Sequence, residues 1–389
     1  MGNLYICSQK HKGKMDKTLF FIKMVEKVGY RRLLYFLHGM TTMGVMHSGK
    51  QCEIEDPTFE ITHGDVVHPC VRYFDEPFEG HHWWMVYTPL YNGNDALENP
   101  RLCFADAKQG EAPLKWNFYC TIKERPEFGY NSDPTMLLYE DKLYVFWREF
   151  ETPNTARIHC KHATFGCIVM NKTVKYLPKA TLIEERTDYK KHGDSDREIS
   201  PTIISVNNAF RAYAMDVTFT PKCMYHLPHF VTDLLYRHNL MAITTALGFF
   251  NPRKSYGVAI WKGDRLENNF AYIKTTRFKG VSGIYQPWHM DIFIAKEDGK
   301  EKTYAIVQTS VEFADICLAY SNDGEEFTFF PKPLITSKKI GKSGIYKPTA
   351  LVVDGYFYLY YTARDDEFNN INRLYMTSAK WPDILQILR

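Results

Sequence analysis

Three carboxylates stand where strand-like segments begin: Asp133 directly before Pro134, Glu198 just ahead of Ser200 and Pro201, and Asp291 after Met290. A protonated carboxylic acid paired with an ionised carboxylate is the equipment of glycoside hydrolysis. The acid protonates the leaving oxygen, and the carboxylate attacks the sugar or activates water. Clustering would drive the pKa values of such groups apart, because like charges at close range resist joint ionisation. Residues two apart on a strand face the same side. That parity puts His68, Asp133, Ser200 with Glu198, His289 with Asp291, and Lys347 on equivalent faces of five strands.

Around this set, His68, Asp65, Glu98, Arg148, Trp288 and His289 are candidate substrate contacts. Imidazole nitrogens bond hydroxyls, and a guanidinium at Arg148 orients a carboxylate or binds an acidic sugar. The loop YTPLYNGNDALENP can carry Glu98 over a pocket, and Trp288 offers a ring for sugar stacking. Each residue also has a structural reading. Asp133 can cap its own turn, Glu198 lies in the polar run GDSDREISP, and Arg148 can form a plain ion pair. The histidines can be satisfied core groups and Trp288 can be core. No metal-ligand spacing is present, so neither metal nor cofactor is expected, a structural ion in a central channel being the one alternative left open.

Positioning five such sites requires a repeat, and the chain carries one. SDPTMLLYEDKLYVFW at 132–147 reads as acid, Pro, apolar strand, polar turn and aromatic-rich strand. HPCVRYFDEPFEGHHWWMVYTP at 68–89, SPTIISVNNAFRAYAMDV at 200–217 and KPTALVVDGYFYLYYTAR at 347–364 follow the same grammar. HMDIFIAKEDGKEKTYAIVQTS at 289–310 does too, with Met290 in place of Pro. The anchors Pro69, Pro134, Pro201, Met290 and Pro348 are 65, 67, 89 and 58 residues apart, close to one four-stranded blade each. These intervals predict an all-β, five-bladed β-propeller. Residues 223–250, which lengthen the third interval, are expected to form a helix-bearing insertion in the third blade. Residues 1–60 are expected to be an N-terminal extension with a packing helix over 14–37, and 61–389 the propeller.

Composition narrows the partners. In 389 residues, 48 Lys and Arg face 45 Asp and Glu, and a net charge of +3 gives no field suited to nucleic acid. Nine cysteines without a C-x-x-C pair predict buried free thiols in a reducing compartment. No apolar run approaches the roughly 18 residues that span a bilayer, and the start lacks the order of a secretory signal. A soluble, unexported chain, cytoplasmic or phage-encoded, is the expectation.

The string SDPTMLLYEDKLYVFW and the Pro-led hairpins resemble the five-bladed propeller glycoside hydrolases, which include arabinanases, xylosidases, invertases and levansucrases. The resemblance spans roughly 60–389. It implies a funnel-shaped site at one end of the channel, with a base or nucleophile from blade 1, a pKa-modulating carboxylate from blade 2 and a general acid from blade 3. Asp133 matches the blade 2 residue. At the blade 1 position stands His68, with Asp65 three residues earlier, and at the blade 3 position stands Ile199, beside Glu198. HPCVRYF, WWMVYTP, ENPRL and WHMD also look like a bacterial and phage group of hydrolase-like propellers. The implied activity is cleavage of a glycosidic bond in an oligo- or polysaccharide. The alternatives are a glycoside phosphorylase or glycosyl transfer enzyme, and a non-catalytic glycan-binding propeller.

Overall fold

A computed structural model describes residues 44–107, 111–124, 129–150, 162–181, 197–206, 209–218, 254–280, 287–309, 315–364 and 371–389. The segments 14–37 and 223–250, read above as helical, lie outside the described residues. Five sheets of four or five strands are each built outward from one inner strand. The inner strands are Val67–Phe78, Tyr130–Tyr139, Arg197–Val206, Pro287–Glu297 and Ser343–Val353, which define blades 1 to 5. Each packs against the next and the fifth packs against the first, so the ring closes as a five-bladed β-propeller. All five sequence anchors lie in these inner strands.

The Pro anchors follow from that position. An inner strand pairs on one side only, and its other edge faces the axis. A residue with no N–H donor is tolerated there because no ladder bond is lost.

The core is five apolar wedges between neighbouring blades. Trp84 and Val86 meet Met136 and Trp147 between blades 1 and 2, and Phe146 meets Phe210 and Trp261 between blades 2 and 3. Met215 meets Met290 between blades 3 and 4, Tyr304 meets Phe357 between blades 4 and 5, and Tyr358 meets Trp83 between blades 5 and 1. Alternate residues of each strand serve opposite wedges, which is why these strands read as nearly continuous apolar runs.

Residues before position 61 also belong to the sheets. Lys50 and Gln51 pair antiparallel with Met376 and Tyr375 on the outer edge of blade 5. Glu53–Glu55 pairs parallel with Lys115–Asn117 on blade 1. Upstream, the Val45 and Met46 N–H groups donate to the carbonyls of Pro333 and Leu334 in blade 4, at 3.2 and 2.8 Å. One short run of chain thus ties the last blades to the first. Gly49 makes the approach possible, since a Cβ there would lie 2.7 Å from the Met376 carbonyl oxygen. Gly49→Val is expected to lift this strap and lower unfolding stability by about 1–3 kcal/mol, the usual cost of forced overpacking, as read by urea denaturation.

Candidate active site

Every inner strand carries an irregularity beside its anchor residue. Register shifts fall between Val67 and Cys70, Ser132 and Thr135, Ile199 and Thr202, Pro287 and His289, and Tyr346 and Thr349. A bulge inserts an extra residue and re-aims a side chain. In the first three blades that residue is His68, Asp133 or Ser200, with φ of 51°, 52° and 54°. Left-handed backbone at non-glycine positions is costly and recurs where a site demands a direction.

The re-aimed side chains converge on Asp133. Its Oδ1 lies 3.6 Å from His68 Nε2, 3.5 Å from His289 Nδ1 and 3.6 Å from Lys347 Nζ. Ser200 Oγ donates to the same oxygen at 3.5 Å, and Arg148 Nη2 lies 3.3 Å from Oδ2. Every blade therefore places one group on a single carboxylate. His68, Asp133, Ser200, His289 and Lys347 are each 2 % exposed or less. Supporting contacts hold them in place. Ser200 Oγ and His289 Nδ1 are 2.7 Å apart, His68 Nδ1 is 3.1 Å from Thr88 Oγ1, and Arg148 donates through Nε and Nη2 to Ser132 Oγ at 3.1 and 2.8 Å.

Burial sets the charge states. It pushes His68 down to about 3 and His289 well below the usual imidazole range, with Lys347 and Arg148 reinforcing the shift against the pull of Asp133. For Asp133 burial works the other way, but His68, Arg148, Lys347 and His289 outweigh it and hold the carboxyl well below its ordinary value. With both imidazoles neutral at pH 7, the sustained attraction comes from Arg148 and Lys347.

Asp291 occupies the next layer inward. Arg72 grips it through two nitrogens at 2.8 Å each, and the hydroxyls of Thr202 and Thr349 donate to it at 3.1 and 2.5 Å. Its own Ile292 N–H adds a further bond at 2.9 Å. The Arg72 charge and these donors outweigh burial and lower its pKa. Its carboxylate is fully engaged beneath the axial cluster, the arrangement of a structural ion pair rather than of a proton-transferring group.

Among the remaining expected site residues, Glu98 joins the cluster. Blade 1's connection delivers its Oε1 to 3.6 Å from His68 Nδ1. Asp65 serves that connection instead of a substrate, accepting from Leu90 N–H at 2.8 Å and from Asn372 N–H and Nδ2 at 2.7 and 3.0 Å. Burial raises its pKa against those bonds. Trp288, expected as a stacking platform, lies 3 % exposed in the wedge between blades 3 and 4, where packing leaves its ring no face for a sugar. Glu198 is part-buried in register with Asp216 on the neighbouring strand.

Thr202, Thr349 and Arg72 went unread in the sequence. The first two had a signal in the repeated Pro-Thr of DPT, SPT and KPT, whereas nothing distinguished Arg72 from a surface arginine. Among the described residues, the group able to hold a metal ion is His68, Asp133 and His289, whose ligand atoms lie within 4.8 Å of one another. Cys52, Cys70, Cys103, Cys120, Cys167 and Cys317 are all free, as expected from their spacing. Among the described residues, no helix is long and apolar enough to cross a membrane.

Solved structures share this architecture. An N-acetylgalactosamine deacetylase from F. plautii, in complex with blood group B trisaccharide, superposes with a TM-score of 0.57 over 88% of this chain and 97% of its own, at 15% identity. A GH32 β-fructofuranosidase from Bombyx mori gives 0.53 over 87% and 65%, at 10% identity. A GH43_1 enzyme from Xanthomonas citri complexed with xylose gives 0.51 over 82% and 88%, at 8% identity. The fold is that of the five-bladed propeller glycoside hydrolases. Likeness at such identity speaks for the fold alone. No protein-family model matches the chain, and no curated protein matches it in sequence.

Proposed function

We propose that this propeller is a glycoside hydrolase-like enzyme that cleaves a glycosidic bond of an oligo- or polysaccharide at the axial cluster. The observation that carries the reading is Asp133, a buried ionised carboxylate on which all five blades converge. Permanently charged, it suits stabilisation of an oxocarbenium-like transition state and not proton donation. Glu98, at the opposite edge of the His68 ring, is the carboxylate assigned to proton transfer. An imidazole between two carboxylates separates them by a ring and two contacts, on the order of 6–9 Å. That is wider than the roughly 5–5.5 Å of a retaining pair, which argues against Asp133 as a nucleophile and agrees with its role as a stabilising charge. Saccharides in the complexes of two structural neighbours agree with a sugar ligand.

A second reading, a glycan-binding propeller without chemistry, is favoured by how completely the axial groups satisfy one another. A glycan panel scored for binding and for reducing-end release, with and without phosphate, separates the readings. Wild type is expected to turn over one class of glycan, and Glu98→Gln to lose at least about 100-fold in kcat with KM nearly unchanged. Phosphate dependence would transfer the site to phosphorolysis, and binding without turnover in wild type would leave the binding reading alone.

A further inference from the structure

We propose that His68, Asp133 and His289 form a binding site for a divalent transition-metal ion of the zinc or cobalt kind, for which the Lys347 ammonium is the resident competitor. The three donors come from blades 1, 2 and 4 and converge on the axis with all their ligand atoms within 4.8 Å. Asp133 Oδ1 is 3.6 Å from His68 Nε2 and 3.5 Å from His289 Nδ1. An ion with bonds of about 2.0–2.2 Å in tetrahedral geometry holds its ligand atoms about 3.3–3.6 Å apart. Both carboxylate-to-imidazole edges therefore stand at coordination spacing and exceed good hydrogen-bond length. Two imidazoles with one carboxylate select transition metals, whereas calcium and magnesium take oxygen donors.

The surroundings supply a second, independent argument. His68 turns Nε2 toward Asp133 and the Tyr346 hydroxyl, the latter at 3.4 Å, and Nδ1 toward Glu98 at 3.6 Å and Thr88 at 3.1 Å. Metal-bound histidines are backed in this way by a carboxylate or hydroxyl on the far nitrogen. On His289 the nitrogen facing Asp133, Nδ1, shares a hydrogen bond with Ser200 Oγ at 2.7 Å that an ion must displace, and Nε2 is buried without a hydrogen-bond partner among the described residues, free to take the proton that Nδ1 gives up. Arg148 Nη2 faces the other carboxylate oxygen, Oδ2, at 3.3 Å as an ion pair without a hydrogen bond, and leaves Oδ1 to the histidines. Lys347 is different, because its Nζ stands 3.6 Å from Oδ1 itself. Ammonium and metal compete for one oxygen, and removing the ammonium should favour the metal.

The test is titration of the chelator-treated full chain with Co²⁺, followed by its visible absorption, and with Zn²⁺ by calorimetry and displacement of Co²⁺. It reads metal alone, so its outcome is separate from whether any glycan is cleaved. Wild type is expected to bind one Co²⁺ per chain, Lys347→Met to bind at least about tenfold tighter, and the His68→Gln/His289→Gln variant to lose the signal. Absence of Co²⁺ and Zn²⁺ binding in folded wild type and Lys347→Met would overturn the proposal. So would equal binding by the double-histidine variant, since the chain has 14 histidines and others could then be responsible. Should that variant fail to fold, the Lys347→Met comparison decides, and unchanged affinity would sink the idea.

Discussion

Asp133→Asn is expected to destabilise the propeller by about 3–5 kcal/mol at neutral pH, the cost of leaving buried charges without their partner. Asparagine is close in volume to aspartate and shares its tolerance of left-handed backbone, so the 52° φ at this position adds little to the difference. What changes is charge. Lys347 and Arg148, with side chains 2 % and 8 % exposed, both lean on this carboxylate. The folded-state pKa of Asp133 is depressed, so its contribution is present above the unfolded carboxyl value of about 4 and is lost only as pH falls through the lower folded value. A measurement at pH 7.5 therefore reads the whole effect. Adding Lys347→Met to Asp133→Asn should recover more than half of the loss by removing the stranded ammonium, a coupling that two independent sites would not show. Denaturant unfolding of the four proteins, extrapolated linearly to water, gives the cycle. A loss under about 1 kcal/mol for Asp133→Asn would mean that water reaches and screens the cluster.

The blades were readable because their grammar is local. Pro, apolar strand, turn and aromatic strand repeat with the spacing of one sheet, and each signal follows from what an axis-facing edge strand permits. Parity along the strands also placed His68, Asp133, Ser200, His289 and Lys347 on one face, and these five meet. Parity could not rank them by height. Asp291 has the same parity as His289 yet sits one layer deeper, where Arg72 and two threonines engage it. Nor could a sequence show that the residues before Pro are held at positive φ, since left-handed backbone at a pre-proline position is not a preference of those residue types. Glu98 and Trp288 mark the same boundary from opposite sides. Both were plausible contacts, and the tertiary packing drew the Glu98 carboxylate to His68 and sealed the Trp288 ring into a wedge between blades.

The two buried imidazoles make the protein sensitive to mild acid. Burial lowers His68 to about 3 and His289 well below its usual range, so the native state holds both neutral. An unfolded chain takes up a proton at each near pH 6.5. Between that value and the folded pKa the unfolded state binds more protons, and stability must fall as pH falls. The slope is about 1.4 kcal/mol per pH unit for each histidine. Because each unfolded imidazole is only half protonated at pH 6.5, the pair should remove roughly 3 kcal/mol from pH 6.5 to pH 5, while above pH 7.5 their contribution is flat. The charges facing the rings act in both directions. Asp133 favours protonation, Lys347 and Arg148 oppose it, and burial decides the balance. Urea midpoints at pH 8, 6.5 and 5, taken with a chelator present, should fall steeply for wild type and about half as steeply, from this pair, for His68→Gln. The other histidines are common to both proteins and cancel from that comparison. Parallel curves for the two proteins would show that His68 protonates freely in the folded chain, and with it that the axial cluster is open to water.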